Sequence, residues 1–240
     1  MSGARRSVAV VIPAYQAAAT LSAVVDGLRR ALADAFVIAV DDGSTDDTHS
    51  VASQVCDEVL RFERNRGKGA ALRAGIGAAL RLGANAVVTI DADGQHDPVY
   101  APALVTALAA ADVAIGARAR RGTTMPLSRR ATNALSARAM SACAGSPIGD
   151  AQSGYRAMRR SVLEAVDARG DRYEYETDFL LRAGRLGYRI VDVPVSTLYG
   201  PPSHFRLVPD ALLVMRSIWR HRAGAFTRTP APAGARSFAR

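Results

Sequence analysis

Short apolar runs recur along this chain, each followed by a stretch whose apolar residues fall at helical spacing. Ser7-Val8-Ala9-Val10-Val11-Ile12 reads as a buried strand ended by Pro13, and an Ala/Leu-rich helical pattern follows over 17–33. Phe36-Val37-Ile38-Ala39-Val40 predicts a second strand, a helix runs to residue 54, and Glu58-Val59-Leu60-Arg61-Phe62 predicts a third strand. A long helix opens at Asn65-Arg66-Gly67-Lys68-Gly69 and reaches residue 82. Ala86-Val87-Val88-Thr89-Ile90 is a fourth strand, 98–110 a helix and 112–117 a fifth strand. Strands alternating with helices in this order specify an α/β fold with a mostly parallel, doubly wound sheet.

Past Arg118 the alternation fades. Residues 118–125 form a basic, glycine-containing loop and 126–144 read as helix. Ser153 to Met158 is a short strand, 175–186 a helix and 189–193 a strand. Pro209 to His221 carries apolar residues at helical spacing with Arg216, Arg220 and Arg222 at its end. That pattern suits a helix lying on a membrane surface and equally one packed on the core. The tail at 223–240, rich in Ala, Pro and Arg, is expected to be disordered. There is no internal repeat.

At 240 residues, 49% of them hydrophobic and 22% charged, the chain can bury one substantial core. Its formal charge of +9 comes almost wholly from arginine, since Lys68 is the single lysine. The excess suggests anionic partners such as phosphates, nucleic acid or acidic headgroups. Nucleic acid is disfavoured, because no recognition helix or stacking motif is present and aromatic residues make up only 6%. Cys56 and Cys143 form no Cys-x-x-Cys pattern, which fits reduced thiols in a cytoplasmic setting. No run of about 18 uninterrupted apolar residues occurs, and the N-terminus lacks a signal peptide's apolar segment, so a soluble or peripheral protein is expected.

The fourth strand ends in Asp91-Ala92-Asp93-Gly94-Gln95-His96-Asp97-Pro98. Residues i and i+2 of a strand point to the same side, so Asp91 and Asp93 can converge on one hard cation, with Gln95 continuing the series. Ligands in open α/β sheets bind beyond the carboxyl ends of such strands. The same residues could instead form an acidic turn, with Asp97-Pro98 as N-cap and first helical residue.

Five segments occur together in order: Val11-Ile12-Pro13-Ala14-Tyr15, Asp41-Asp42-Gly43-Ser44-Thr45-Asp46, Asn65-Arg66-Gly67-Lys68-Gly69, Asp91 to His96, and Gln152-Ser153-Gly154-Tyr155-Arg156. In this order they resemble the motifs of family 2 glycosyltransferases, and most of all the dolichyl/polyprenyl-phosphate mannosyltransferase-like branch, over residues 7 to about 210. The resemblance implies a GT-A fold, a Rossmann-like nucleotide-binding sheet flanked by helices in a single domain over 1–222. Its donor-binding half would span about 7–117 and its acceptor half about 118–222. It implies a nucleoside diphosphate sugar donor with a GDP or UDP moiety. Pro13 and Tyr15 would line the base pocket. Asp42 would accept hydrogen bonds from base or ribose, and Asp41 would assist. Lys68, on a glycine-rich loop before a helix, suits the diphosphate or base. Asp91, Asp93 and Gln95 would hold Mg²⁺ or Mn²⁺ for leaving-group assistance, with Asp93 central to catalysis.

In that branch the acceptor is a polyprenyl phosphate, an anion that needs no general base, and Arg118, Arg129 and Arg156 would offset its charge. A hydroxyl acceptor would need a carboxylate base, for which Asp150 is the candidate. Tyr173, Glu174, Glu176 and Asp178 lie where the family often carries a further acidic segment, although an acidic helix start explains them equally. His204 could reach the metal or diphosphate. The expected reaction is inverting sugar transfer, carried out peripherally at the inner face of the cell membrane. One departure stands out: Gln16-Ala17 replaces the family's usual Asn-Glu, removing a carboxylate near the nucleotide and leaving open a catalytically silent relative that acts as a partner subunit. A sugar-nucleotide pyrophosphorylase is disfavoured, because Pro13-Ala14-Tyr15 stands where its basic, glycine-rich loop would follow the first strand.

Overall fold

Four of the apolar runs become adjacent parallel strands: β1 (Val8–Ala14), β2 (Phe36–Asp41), β3 (Glu58–Arg61) and β4 (Ala86–Thr89). The computed structural model describes residues 7–118, 140–145 and 148–196. Three further strands, β5 (Val113–Arg118), β6 (Arg156–Arg159) and β7 (Ile190–Val195), complete a seven-stranded sheet in the order β3-β2-β1-β4-β6-β5-β7. All neighbouring pairs are parallel except those of β6, which runs antiparallel between β4 and β5. Strands from both sides of residue 118 therefore share one sheet.

Strand periodicity assigns the core to two faces. Ala9 and Val11 of β1 enter one apolar cluster, with Leu72 and Ile76 of helix α3 (Lys68–Arg81) and Phe179 and Leu180 of a later helix. Val10, Ile12 and Ala14 enter the other, with Leu21, Val24, Val25 and Leu28 of helix α1 (Leu21–Ala31). Helix α2 (Thr48–Val55) and helix α4 (Ala101–Ala107) also belong to this second face. Close packing of α3 on the sheet depends on Gly75, where an added Cβ would lie 2.4 Å from a Val11 methyl.

The proline in β1 is tolerated for a geometric reason. Val11 turns its carbonyl to β4, accepting from the Ile90 N–H at 3.2 Å, while Ala14 turns to β2 and accepts from the Asp42 N–H at 2.8 Å. Pro13, two residues on from Val11, faces β4 where that pairing has already ended, so its missing N–H costs no ladder bond. β1 accordingly runs one residue past Pro13.

Two other elements differ from the sequence expectation. The sixth strand begins at Arg156 rather than Ser153, and a six-residue helix, α5 (Arg160–Ala165), follows it directly. Helix α6 (Glu174–Arg185) matches the expected 175–186. Residues 140–144 are helical. The rest of the expected 126–144 helix, the 209–221 segment, Arg129, His204 and the 223–240 tail lie outside the described residues. Among the described residues no helix is long and apolar enough to cross a membrane.

Candidate active site

The carboxyl ends of β1, β2 and β4 are neighbours, so the loops leaving them meet. A cavity of about 650 Å³ opens there, and Pro13, Tyr15, Asp42, Lys68, Asp91 and Asp93 all line it. These are six of the residues expected at the donor site.

Asp42 is fixed from both oxygens. Oδ1 accepts the Arg66 N–H at 2.7 Å and Oδ2 the Gly67 N–H at 2.8 Å. Burial nevertheless pushes its carboxyl above the ordinary value, outweighing those two backbone donors. Gly67 adopts φ +99°, and a Cβ there would meet the Asp171 carbonyl. Asp41 requires a correction. The last residue of β2, Asp41, is fully buried and does not line the cavity. Its Oδ1 accepts the Ser44 N–H at 2.9 Å, and Oδ2 lies 3.3 Å from Arg61 Nε. It shapes the turn after β2.

Lys68, the first residue of α3, reaches across to the end of β4. Its ammonium lies 2.6 Å from Asp91 Oδ1 and 3.2 Å from Glu176 Oε2 in the first turn of α6. Burial opposes the charge, but the two carboxylates prevail and hold the ammonium protonated well above the usual lysine range. Asp91 is correspondingly held ionised: burial works against it and the Lys68 charge wins. Asp93 is pushed the other way, first by burial and then by the charge of Asp91. Its Oδ1 accepts the Gln95 backbone N–H at 3.0 Å. Gln95 thus braces the turn through its backbone and is not part of the cavity wall.

On the acceptor side, Arg118 at the end of β5 grips Asp150 in a fork, Nε to Oδ2 at 2.7 Å and Nη2 to Oδ1 at 2.9 Å. Burial would raise the Asp150 carboxyl, yet this pairing holds it below the ordinary range. A carboxylate so held is a weak proton acceptor. Arg156, only 2% exposed, donates to the carbonyls of Ser153 (2.8 Å), Glu176 (2.9 Å) and Ala151 (2.9 Å). Its guanidinium ties the 151–153 turn to the first turn of α6.

The sequence profile described as Glycosyl transferase family 2 matches residues 9–167. The chain belongs to that family. Undecaprenyl-phosphate mannosyltransferase of Micrococcus luteus is 34% identical over 200 residues, covering 79% of this chain and 82% of that protein. Polyprenol monophosphomannose synthase of Mycolicibacterium smegmatis is 35% identical over 202 residues, covering 78% and 76%. Among solved structures, glucosyl-3-phosphoglycerate synthase of Mycobacterium tuberculosis in complex with Mg²⁺ and UDP aligns with a TM-score of 0.71 at 25% identity, over 90% of this chain and 79% of that one. The protein is a glycosyltransferase with a GT-A fold.

The family 2 transferase also places a residue at the cavity that lies outside the sequence motifs. Arg172 lines it, beside Asn65 of the third motif. Arg172 arrives on the 166–173 loop, which is strapped to the start of α3: Arg73 donates to the Gly170 carbonyl and the Asp171 carboxylate, and the Ala70 N–H donates to the Asp171 carbonyl at 3.1 Å. Nothing in the local composition of that loop marks it as part of a site, since its position depends on α3. Tyr173, whose ring lies 5.7 Å from the Lys68 ammonium, completes that wall.

The residues present fit a divalent cation of the hard-oxygen type. Asp93 is strained by burial beside Asp91, a repulsion that a dication would relieve. Among the described residues no group of three His, Cys, Asp or Glu is arranged around a common point. The protein would therefore supply two carboxylates, as is common for Mg²⁺, which takes its remaining ligands from substrate phosphates and water.

Proposed function

We propose that the enzyme transfers a sugar, with inversion, from a nucleoside diphosphate sugar to a polyprenyl phosphate at a membrane surface, aided by Mg²⁺ or Mn²⁺. The observation that carries this reading is the Arg118–Asp150 fork, which withdraws the one candidate base. A hydroxyl acceptor would need its proton removed; a phosphate monoester is already an anion and attacks the anomeric carbon directly. The two relatives named for undecaprenyl-phosphate and polyprenol monophosphate mannosyl transfer support the same acceptor class.

In this mechanism Pro13 and Tyr15 pack on the nucleotide base, and the braced Asp42 accepts hydrogen bonds from base or ribose. Asp91 and Asp93 would hold the cation, whose charge stabilises the departing diphosphate. Lys68 and Arg172 add positive charge on the same wall, and the positive end of α3 favours an anion there. Arg118, at the end of β5, would meet the acceptor phosphate with its remaining N–H groups. The net charge of +9 favours an anionic membrane surface.

The test has two stages. Thermal melts with UDP, GDP and their sugar conjugates, with and without Mn²⁺, should show a Mn²⁺-dependent stabilisation by one nucleotide family. Transfer from the matching sugar conjugate should then occur to a short polyprenyl phosphate and not to the corresponding polyprenol. Transfer to the alcohol at a comparable rate would overturn the acceptor assignment.

A further inference from the structure

The single lysine of the chain sits where three elements meet: the start of α3, the end of β4 and the first turn of α6. Its ammonium is shared between Asp91 Oδ1 at 2.6 Å and Glu176 Oε2 at 3.2 Å. The two carboxylates differ in where they face. Asp91 lines the donor cavity with Lys68, whereas Glu176 lies behind them and is not part of the cavity wall. Gly154 leaves the space beside the pair open, since a Cβ there would lie 2.7 Å from both Lys68 Nζ and Asp91 Oδ2. The ammonium thus occupies one of the two carboxylates that would hold the divalent cation, while keeping a second anchor outside the site.

We propose that Lys68 is a tethered placeholder cation, which covers Asp91 until donor and divalent cation arrive and then turns to the diphosphate while Glu176 retains it. This inference rests on the metal-assisted, nucleoside diphosphate reading above. Its physical basis is charge balance. Without a cation, Asp91 and Asp93 repel each other in a buried setting, and the ammonium offsets that repulsion. A diphosphate brings negative charge beside the start of α3, where an ammonium is then more useful than on Asp91. Glu176 is the positioning residue: it keeps the flexible lysine stem close in both states and so lowers the cost of ordering it at the phosphate.

The experiment measures Mn²⁺ binding by loss of the free-ion EPR signal, with Mn²⁺ alone and with UDP or GDP added. Lys68→Met should bind Mn²⁺ alone more tightly than the native chain, by roughly tenfold or more, the scale of one neighbouring charge. The same variant should bind UDP or GDP more weakly, and opposite signs of this kind do not arise from a damaged fold. Lys68→Arg, which keeps the charge, should return Mn²⁺ affinity towards the native value. Glu176→Gln should weaken Mn²⁺ binding in the native background and have no effect in the Lys68→Met background, because it acts through the lysine. Equal Mn²⁺ affinity in native and Lys68→Met protein, or a Glu176→Gln effect that persists without the lysine, overturns the placeholder role alone. Absence of Mn²⁺ binding by the native chain with either nucleotide overturns the metal-assisted reading and the placeholder with it.

Discussion

Replacing Arg156 by Met separates a scaffold role from an acceptor role. The guanidinium makes three hydrogen bonds of 2.8–2.9 Å to carbonyls at 151, 153 and 176, at 2% exposure. Methionine fills similar volume but removes all three bonds; the Glu176 carbonyl keeps its helical donor in α6, while those of Ala151 and Ser153 lose the guanidinium, at about 1–3 kcal/mol each. Part of that loss is recovered because a buried guanidinium is itself costly to desolvate, as the lowering of its pKa by burial indicates. The net cost should be about 3–5 kcal/mol, the range for removing one member of a buried charged network. For a domain of this size that is a fall in Tm of ~6–20 °C. Circular dichroism melts and urea titration would measure it, with a lower midpoint at unchanged slope. Arg156→Lys should lose most of the same stability, because a single ammonium cannot span three carbonyls set by a planar fork. At a temperature where the variant is folded, its acceptor KM should match the native enzyme. A melting point within ~2 °C of native, accompanied by a tenfold or greater rise in acceptor KM, would refute the scaffold role.

Asp150→Asn should cost about 1–2 kcal/mol by loosening the Arg118 fork. Because the folded Asp150 pKa is depressed, its contribution is present above the ordinary value of 3.8 and is lost as pH falls through the lower folded value, so native and variant melting curves should converge in that acid range. The variant should keep turnover within tenfold, whereas a fall of ~10²–10⁴ in kcat would identify a general base. Asp93 has a raised folded pKa, so its ionised form destabilises the native state increasingly as pH rises from 3.8 past the folded value. Asp93→Asn should therefore melt higher than the native chain near pH 7 while losing transfer and Mn²⁺-dependent nucleotide stabilisation; a lower melting point would contradict the electrostatic account. Gly154→Ala forces a methyl against Lys68 and Asp91 and should lower kcat/KM by about 10²-fold. Unchanged kinetics in that variant would mean the ion pair has slack that the structure does not show.

What the sequence made legible was governed by local periodicity. The strand runs and the long helices stood out because buried parallel strands and amphipathic helices impose patterns over many residues. Helix α5 escaped because six residues hold fewer than two turns and only Val162 is buried. The Asp91-x-Asp93 spacing after an apolar run was visible in the sequence, but β4 ends at Thr89 and both carboxylates lie in the turn beyond it, so strand alternation is not what brings them to the cavity. Asp41 closes β2 and is buried, whereas Asp42 is the first residue past the strand and lines the cavity. The bonds of Arg156 have no local signature, because its partners are backbone carbonyls at 151, 153 and 176, and no residue type signals an inward-facing carbonyl. Asp150 pairs with Arg118 across 32 positions, and Arg172 depends on how Arg73 holds a loop almost a hundred residues away. Contacts of that range belong to the fold and leave no local mark.

The departure at Gln16-Ala17 takes its meaning from what those two residues do. Gln16 sits at φ +51°, and its side chain binds the loop after β2: Oε1 accepts the N–H groups of Thr45 and Asp46 at 3.2 Å each, while Nε2 donates to Thr45 Oγ1 at 2.9 Å. Its own N–H and that of Ala17 donate to Ser44 Oγ and Thr48 Oγ1. The loops after β1 and β2 are therefore stapled together by five hydrogen bonds from these two residues, and that staple presents Tyr15 beside Asp42. Ala17 lines the cavity without adding charge. The wall already carries Asp42, Asp91 and Asp93 against Lys68 and Arg172, and a fourth carboxylate would increase the repulsion felt by an incoming diphosphate. What the departure removes is a charge; the scaffold that shapes the nucleotide pocket remains intact, held by a glutamine in a backbone conformation that its own side-chain bonds compensate.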